Sequence, residues 1–246
     1  MNKPVTPSNR RHHLACQNRS ELTRQRLIES AIQVFADVGY DAARTRAIVR
    51  KASTNLISIP YYFGSKLGLY NAAAEHIANN IAEKFRPIIE QAETDLLQRD
   101  VTHYDVLESF IRFIENFAAT MLGVDTPEVW GQFISREQFQ PCGALNIIHS
   151  RTTRFIDVGC EYVSRLTGWQ SNSDETRVQL LLVLSMAKLP CIDRASMLRT
   201  MNWQSIGDQE SRLLACTLRR NVQALFTPSG QRVLSSCTAC EPANCR

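Results

Sequence analysis

Residues 46–63 read Arg-Ala-Ile-Val-Arg-Lys-Ala-Ser-Thr-Asn-Leu-Ile-Ser-Ile-Pro-Tyr-Tyr-Phe, and this stretch decides the fold. It divides into two short helical segments at Ala52-Ser53-Thr54 and runs on into Gly64-Ser65-Lys66. Asn55 stands where an N-cap is wanted, because its side-chain carbonyl accepts amides that a helix start leaves unpaired. Upstream, Leu27, Ile28, Ala31, Ile32, Val34, Phe35 and Val38 recur at three- and four-residue steps. That spacing predicts an amphipathic helix from Leu22 to Val38 with one apolar stripe, closed by Gly39 in the C′ role. Two short helices at a tight turn, braced by a longer one, are expected here, the second of them over Asn55 to Tyr62.

The charge distribution is uneven. Net charge is only +4 overall, but residues 1–66 hold eleven Lys or Arg and four Asp or Glu, a net +7. The remainder holds 17 basic and 20 acidic residues, a net −3. A basic head on a slightly acidic body is the electrostatic footprint of a nucleic-acid-binding module joined to something else.

Gly39-Tyr40-Asp41-Ala42, Arg46-Ala47-Ile48, Ala52, Asn55, Ile59 and the run Tyr61 to Tyr70 resemble the DNA-binding domain of TetR-family transcriptional regulators. Phe85-Arg86-Pro87 and Phe133-Ile134-Ser135-Arg136-Glu137-Gln138 look like the ligand-binding domain of the CecR-like subgroup. The resemblance implies an all-α chain, with a three-helix helix-turn-helix domain at 20–66 and a larger helical-bundle ligand-binding and dimerisation domain at 67–226. It also implies a homodimer, a double-stranded DNA operator and a small-molecule effector. Three departures stand out: Ala43 replaces a usual Thr, Ser53 a usual Gly in the turn, and Pro60 a polar residue or Tyr. Ser53 is expected to take the glycine conformation at about 1 kcal/mol. Pro60, counted from a cap at Asn55, is expected to delete the bond to the Leu56 carbonyl at up to about 3 kcal/mol.

Within the block, Ile48, Val49, Ala52, Ile59 and Phe63 are expected to face inward and set the helix crossing. Arg44, Arg46, a Tyr61 or Tyr62 hydroxyl and Lys66 are the expected phosphate anchors, which set register without choosing sequence. Choice falls to Leu56, Ile57 and Ser58, where apolar side chains suit thymine methyls and a hydroxyl serves several base edges.

The rest of the chain reads as helices over about 65–98 (kinked or split by Pro87), 104–122, from Thr126-Pro127 toward Pro141, 142–166, 173–188 and 208–226. No strand alternation, nucleotide-binding glycine pattern or internal repeat appears. Residues 1–19 read as a flexible basic arm, with Arg10, Arg11 and Arg19 available to DNA, and 227–246 as a flexible cysteine-containing tail. No apolar run reaches the length of a membrane span and no leader opens the chain, so the expected location is cytoplasmic. Eight scattered cysteines are expected as reduced thiols.

Phe110, Phe113 and Phe117, with Trp130 and Phe133, either line an effector cavity or pack a core. Arg136 and Glu137 beside them either orient a ligand or form an internal ion pair. In the late helices, Leu180, Leu181, Leu184, Leu213, Leu214, Leu218 and Val222 offer an apolar face for the four-helix dimer interface that the resemblance implies, or for burial within one subunit. Cys237, Cys240 and Cys245 fall one ligand short of a closed zinc site, so no metal and no cofactor is expected. Nothing supports a catalytic residue or an enzyme. The expectation is a homodimeric, ligand-responsive repressor. Its rivals are a small-molecule-binding or interaction dimer without specific DNA reading, and a thiol or metal sensor acting through the tail.

Overall fold

The computed structural model describes residues 7–122, 128–139 and 142–227, and among them there are ten helices and no strand. In chain order they are α1 (Pro7–Ala42), α2 (Thr45–Lys51), α3 (Ser58–Phe63), α4 (Lys66–Leu97) and α5 (His103–Leu122). They continue with α6 (Glu128–Phe139), α7 (Ala144–Thr167), α8 (Asp174–Ile192), α9 (Arg194–Met201) and α10 (Asp208–Phe226). None is long and apolar enough to cross a membrane. Residues 1–6, the side chains of Arg10 and Arg11, Thr126-Pro127, Pro141 and the tail beyond Thr227 lie outside the described residues.

The α1 start, the passage through Pro87, the α8 end and the presence of α9 differ from the sequence reading, whereas the stop at Gly39 agrees with it. Helical backbone begins at Pro7, so residues 7–19, expected in a flexible arm, extend α1; a proline in the first turn has no amide to lose and a preset φ. Gly39, at φ 78 and ψ 172, then ends the regular part of α1 in a conformation open essentially to glycine alone. Further on, α4 runs through Pro87 without splitting. Its buried residues Phe85 and Ile88 flank the proline and hold both turns against the core, which offsets one missing backbone bond. Likewise α8 passes Pro190 to Ile192, and α9, unforeseen, follows and closes at Asn202 in the left-handed conformation.

The chain forms two compact units. The first comprises the residues up to Asn80 together with α6 and the start of α7 through Arg151; the second takes Ile81 to Thr126 and Thr152 onward. This division differs from a boundary at 66/67, because Tyr70 in the first turns of α4 packs on Phe35 and Tyr40 of α1, and α6 packs with α1. In the first unit Leu27, Ile28, Ala31, Ile32 and Phe35 of α1 are buried, as are Ile48, Ile59, Leu69 and Ala73. The Tyr70 ring sits among Phe35 at 4.8 Å, Tyr40 at 5.0 Å and Phe133 at 5.1 Å.

The second unit is built around Phe155, whose ring centroid lies 4.5 Å from Phe113, 4.6 Å from Phe85 and 5.1 Å from Phe117. Phe110 packs against Tyr162 and Phe226 beside it. Arg219 ties α10 to α5 through Glu115 at 2.8 Å and Glu108 at 2.9 Å. Helices α7 and α8 approach so closely at Gly159 that a Cβ there would lie 2.8 Å from both methyl carbons of Leu180.

Helix α8 is apolar on two sides. Leu180, Val183, Leu184 and Ala187 are buried, whereas Val178, Leu181, Leu182, Leu189 and Ile192 are each more than half exposed. Their spacing places the second set on one outer stripe. On α10, Leu218, Val222 and Phe226 turn inward while Leu213 and Leu225 are exposed and Leu214 is half-buried. Thus Leu180, Leu184, Leu218 and Val222, candidates for a dimer face, serve the core of the subunit.

Candidate DNA interface

The turn between α2 and α3 is closed by backbone geometry. Thr54 N–H donates to the Val49 carbonyl at 2.9 Å and Ser53 N–H to that of Arg50 at 3.2 Å, the paired bonds that satisfy a helix C-terminus when the residue beyond the cap is left-handed. Ser53 is that residue, at φ 51. A non-glycine there is strained, so Ser53→Gly is expected to raise stability by up to about 1 kcal/mol, read as a higher Tm with DNA affinity retained.

Helix α3 starts at Ser58, three residues later than the cap expected at Asn55. Pro60 therefore falls in its first turn, where amides have no intrahelical partner to lose, and the large penalty expected for it does not arise. Asn55 still caps: its Oδ1 accepts the Ser58 amide at 3.1 Å and the Ser58 hydroxyl at 3.0 Å. Thr54 Oγ1 lies 2.7 Å from the same Ser58 Oγ. At the far end Gly64, at φ 73, closes α3 through a bond to the Pro60 carbonyl at 3.0 Å. Helix α4 begins so close behind that a Cβ on Gly68 would lie 1.9 Å from the Phe63 carbonyl oxygen.

This frame leaves a bare tip. Ile57 is 74% exposed, Tyr61 76% and Leu56 44%, with Asn55 and Pro60 exposed beside them. Arg44 and Arg46 are exposed at the start of α2. Arg50 and Lys51, at its end and not singled out from sequence, are exposed too; the i, i+4 spacing of Arg46 and Arg50 was the available signal. None of these four cations has an ion-pair partner among the described residues.

Two expected anchors are engaged inside the domain. The Tyr62 hydroxyl lies 3.1 Å from Ser20 Oγ. The Lys66 ammonium sits 4.5 Å from the Tyr40 ring centroid and donates to the Asp41 carbonyl at 3.3 Å. Tyr61 holds the exposed hydroxyl of the pair.

The seven ligand candidates divide between the units. Phe110, Phe113 and Phe117 belong to the aromatic core of the second. Trp130, Phe133, Arg136 and Glu137 belong to the first, where Trp130 meets His76 edge-on and Phe133 meets Tyr70. Arg136 Nε donates to the Ala36 carbonyl at 2.7 Å and Nη2 to that of Asp37, capping the end of α1. Glu137, 1% exposed, accepts from the Tyr70 hydroxyl and, through Oε1, from the amides of Cys142 at 2.8 Å and Ala144 at 2.7 Å. Arg136 and Glu137 thus find separate partners, as helix neighbours do not face each other. Burial, and then Glu137, push the Tyr70 phenol well above its ordinary range and keep it a donor.

Two clefts open in the second unit. One of about 390 Å³ lies between α5, α8 and α10, lined by Ala119, Ala187, Pro190, Ala215 and Leu218 together with Glu115 and Arg212. Another of about 260 Å³ lies between α4, α5 and α7, with Gln91, Asp95, Arg112, Phe113 and Tyr162 around it. Among the described residues no group of His, Cys, Asp and Glu could hold a metal, while Cys237, Cys240 and Cys245 lie outside them.

Comparison with known proteins converges on the same elements. A family model described as bacterial regulatory proteins, tetR family, matches residues 27–73. Another, described as the C-terminal domain of the HTH-type transcriptional dual regulator CecR, matches residues 106–227. The HTH-type transcriptional dual regulator CecR of Shigella flexneri is 27% identical over 220 residues, covering 88% of this chain and 96% of its own. Among solved structures, a TetR-like transcriptional regulator from Rhodococcus sp. RHA1 superposes with a TM-score of 0.57 at 16% identity, over 82% of this chain and 95% of that one. A putative transcriptional regulator from Streptomyces coelicolor gives 0.53 at 17%, over 84% and 99%. These two carry the fold, the family models carry the kinship, and the chain belongs to the TetR family of DNA-binding transcriptional regulators, with a C-terminal domain of the CecR type.

Proposed function

We propose that the protein is a homodimeric repressor that a small-molecule effector releases from its operator. The observation that carries this reading is the bare tip of α3, flanked by the exposed and unpaired Arg44, Arg46, Arg50 and Lys51. Arg44 and Arg46 with the Tyr61 hydroxyl hold phosphates, and the α3 tip enters the groove. The outer stripe of α8, joined by Leu213 of α10, supports pairing of two subunits, and two-fold symmetry then doubles the reading. The 390 Å³ cleft is the effector site: it is mostly apolar, with a few polar groups among its lining residues, and it lies between the two helices that carry the dimer face. An effector that fits one arrangement of α8 and α10 better than another shifts the dimer toward it and moves the two reading helices out of register with successive grooves.

The test is binding of the full-length protein to its own upstream DNA against a scrambled fragment over a salt series. Preference that survives moderate salt is expected; equal, salt-sensitive binding to both fragments would leave an interaction dimer with a basic head. Compounds that release the wild type identify the effector site through Ala119→Trp, which fills the cleft. Operator binding is expected to persist and release to fall at least tenfold, whereas unchanged release would move the effector elsewhere.

A further inference from the structure

We infer that the turn leading into α3 chooses bases by the C5 methyl group, taking thymine in the operator and accepting 5-methylcytosine in its place, with Leu56 and Ile57 as the specificity-determining side chains. This rests on the operator-binding reading above.

A base pair shows the major groove a pattern of donors and acceptors, and thymine adds one apolar feature, its methyl. Reading the polar pattern needs side chains with free hydrogen-bonding atoms, and the tip has almost none. An asparagine that reads adenine uses its carbonyl as acceptor and its amide as donor together. Both lone pairs of Asn55 Oδ1 are already taken by the Ser58 amide and hydroxyl, which closes that fork. The Ser58 hydroxyl is half-buried between Asn55 and Thr54, so a residue the sequence offers as a polar reader is spent on the turn. Pro60 has no amide proton. Helix α3 carries no Arg or Lys to fork onto guanine, since the exposed cations are on or next to α2.

What projects instead is Leu56 and Ile57, two branched apolar side chains held out from a strongly basic surface. The charge around them selects a polyanion, and the apolar tip selects what is apolar within its groove. Thymine and 5-methylcytosine put the same methyl at the same ring position and differ at the exocyclic group, which neither Leu56 nor Ile57 can hydrogen-bond. Uracil keeps every hydrogen-bonding group of thymine and lacks the methyl. These bases isolate the proposed contact.

The experiment selects a random-sequence duplex library with the full-length protein, then resynthesises the tightest-bound duplex with single replacements. Deoxyuridine at a contacted thymine is expected to weaken binding roughly fourfold, the worth of one buried methyl. At the same position a 5-methylcytosine·guanine pair is expected to restore most of that loss and unmethylated cytosine to restore none. In Ile57→Ser, a change at an exposed position, one deoxyuridine effect is expected to vanish. An enriched duplex whose affinity is indifferent to deoxyuridine would overturn methyl reading and leave the regulator intact. Failure to enrich any sequence would overturn the operator-binding reading itself.

Discussion

Glu137→Ala is expected to destabilise the first unit by about 3–5 kcal/mol and to weaken DNA binding with it. Removing the carboxyl orphans the Tyr70 hydroxyl and the Cys142 and Ala144 amides at the start of α7. A buried polar group left unpaired costs about 1–3 kcal/mol, and here three lose one acceptor. Glu137→Gln keeps an oxygen for the two amides and turns an N–H onto the phenol oxygen, leaving only the phenol proton without its acceptor, so it is expected to cost about 1 kcal/mol. Urea denaturation followed by tyrosine fluorescence and by helix content separates the two variants, provided the two units are fitted as separate transitions. The same node predicts a pH response. Because Tyr70 is held above its ordinary value of 10.0, its protonated form is the one the folded state favours. The unfolded chain ionises first, so this stabilisation is whole below pH 10 and is lost progressively as pH rises beyond it. Tyr70→Phe is expected to flatten that alkaline slope, whereas a slope unchanged by the substitution would place the ionisation elsewhere, with the buried Tyr162 phenol the next to examine.

Residues 22–70 were legible because each local signal there has a local cause. A helix stripe, a glycine stop, a turn and an aromatic corner all act over a few residues, and the family resemblance, which puts Gly where Ser53 stands, assigned Ser53 the glycine conformation that it takes. Pro60 shows the limit of such reading. Its residue type was plain, but its cost depended on where α3 begins, and a shift of the cap position by two residues, from Asn55 to Ile57, moved it from a helix interior to a first turn. Glu137 was illegible for another reason. A carboxylate in a helix usually points to water, and its hydrogen-bond partner Tyr70 lies 67 residues away in sequence. Phe155 failed likewise: it sits in a polar stretch of α7, and only the meeting of α4, α5 and α7 makes it the centre of the aromatic core. Arg136 and Glu137 drew notice as charges beside apolar residues, and that signal was sound. It marked burial and pairing, with the partners supplied by α1, α4 and α7.

The leucines of α8 present the same ambiguity in a form that one experiment resolves. An all-apolar helix segment does not reveal which of its faces the subunit buries, and the structure buries Leu180, Val183, Leu184 and Ala187 while leaving a second stripe exposed. Leu182→Glu with Leu189→Glu places two carboxylates seven residues apart on the outer stripe, at positions more than half exposed. Folding of the subunit is expected to be unaffected within about 0.5 kcal/mol, as for surface substitutions generally. Sedimentation is expected to report a dimer for the wild type and a monomer for the double variant. Operator affinity should then fall by on the order of 10²–10⁴-fold, because a single helix-turn-helix holds half a site and the gain from linking two half-sites is lost. Leu180→Ala and Leu184→Ala, on the inner face of the same helix, should behave in the opposite way. Each removes a fully buried side chain and is expected to cost about 2–5 kcal/mol of subunit stability. A double glutamate variant that stayed dimeric at full operator affinity would remove α8 from the interface. Monomeric sedimentation with undiminished operator binding would instead show that one subunit suffices to read the DNA, and two-fold symmetry would lose its role in the mechanism.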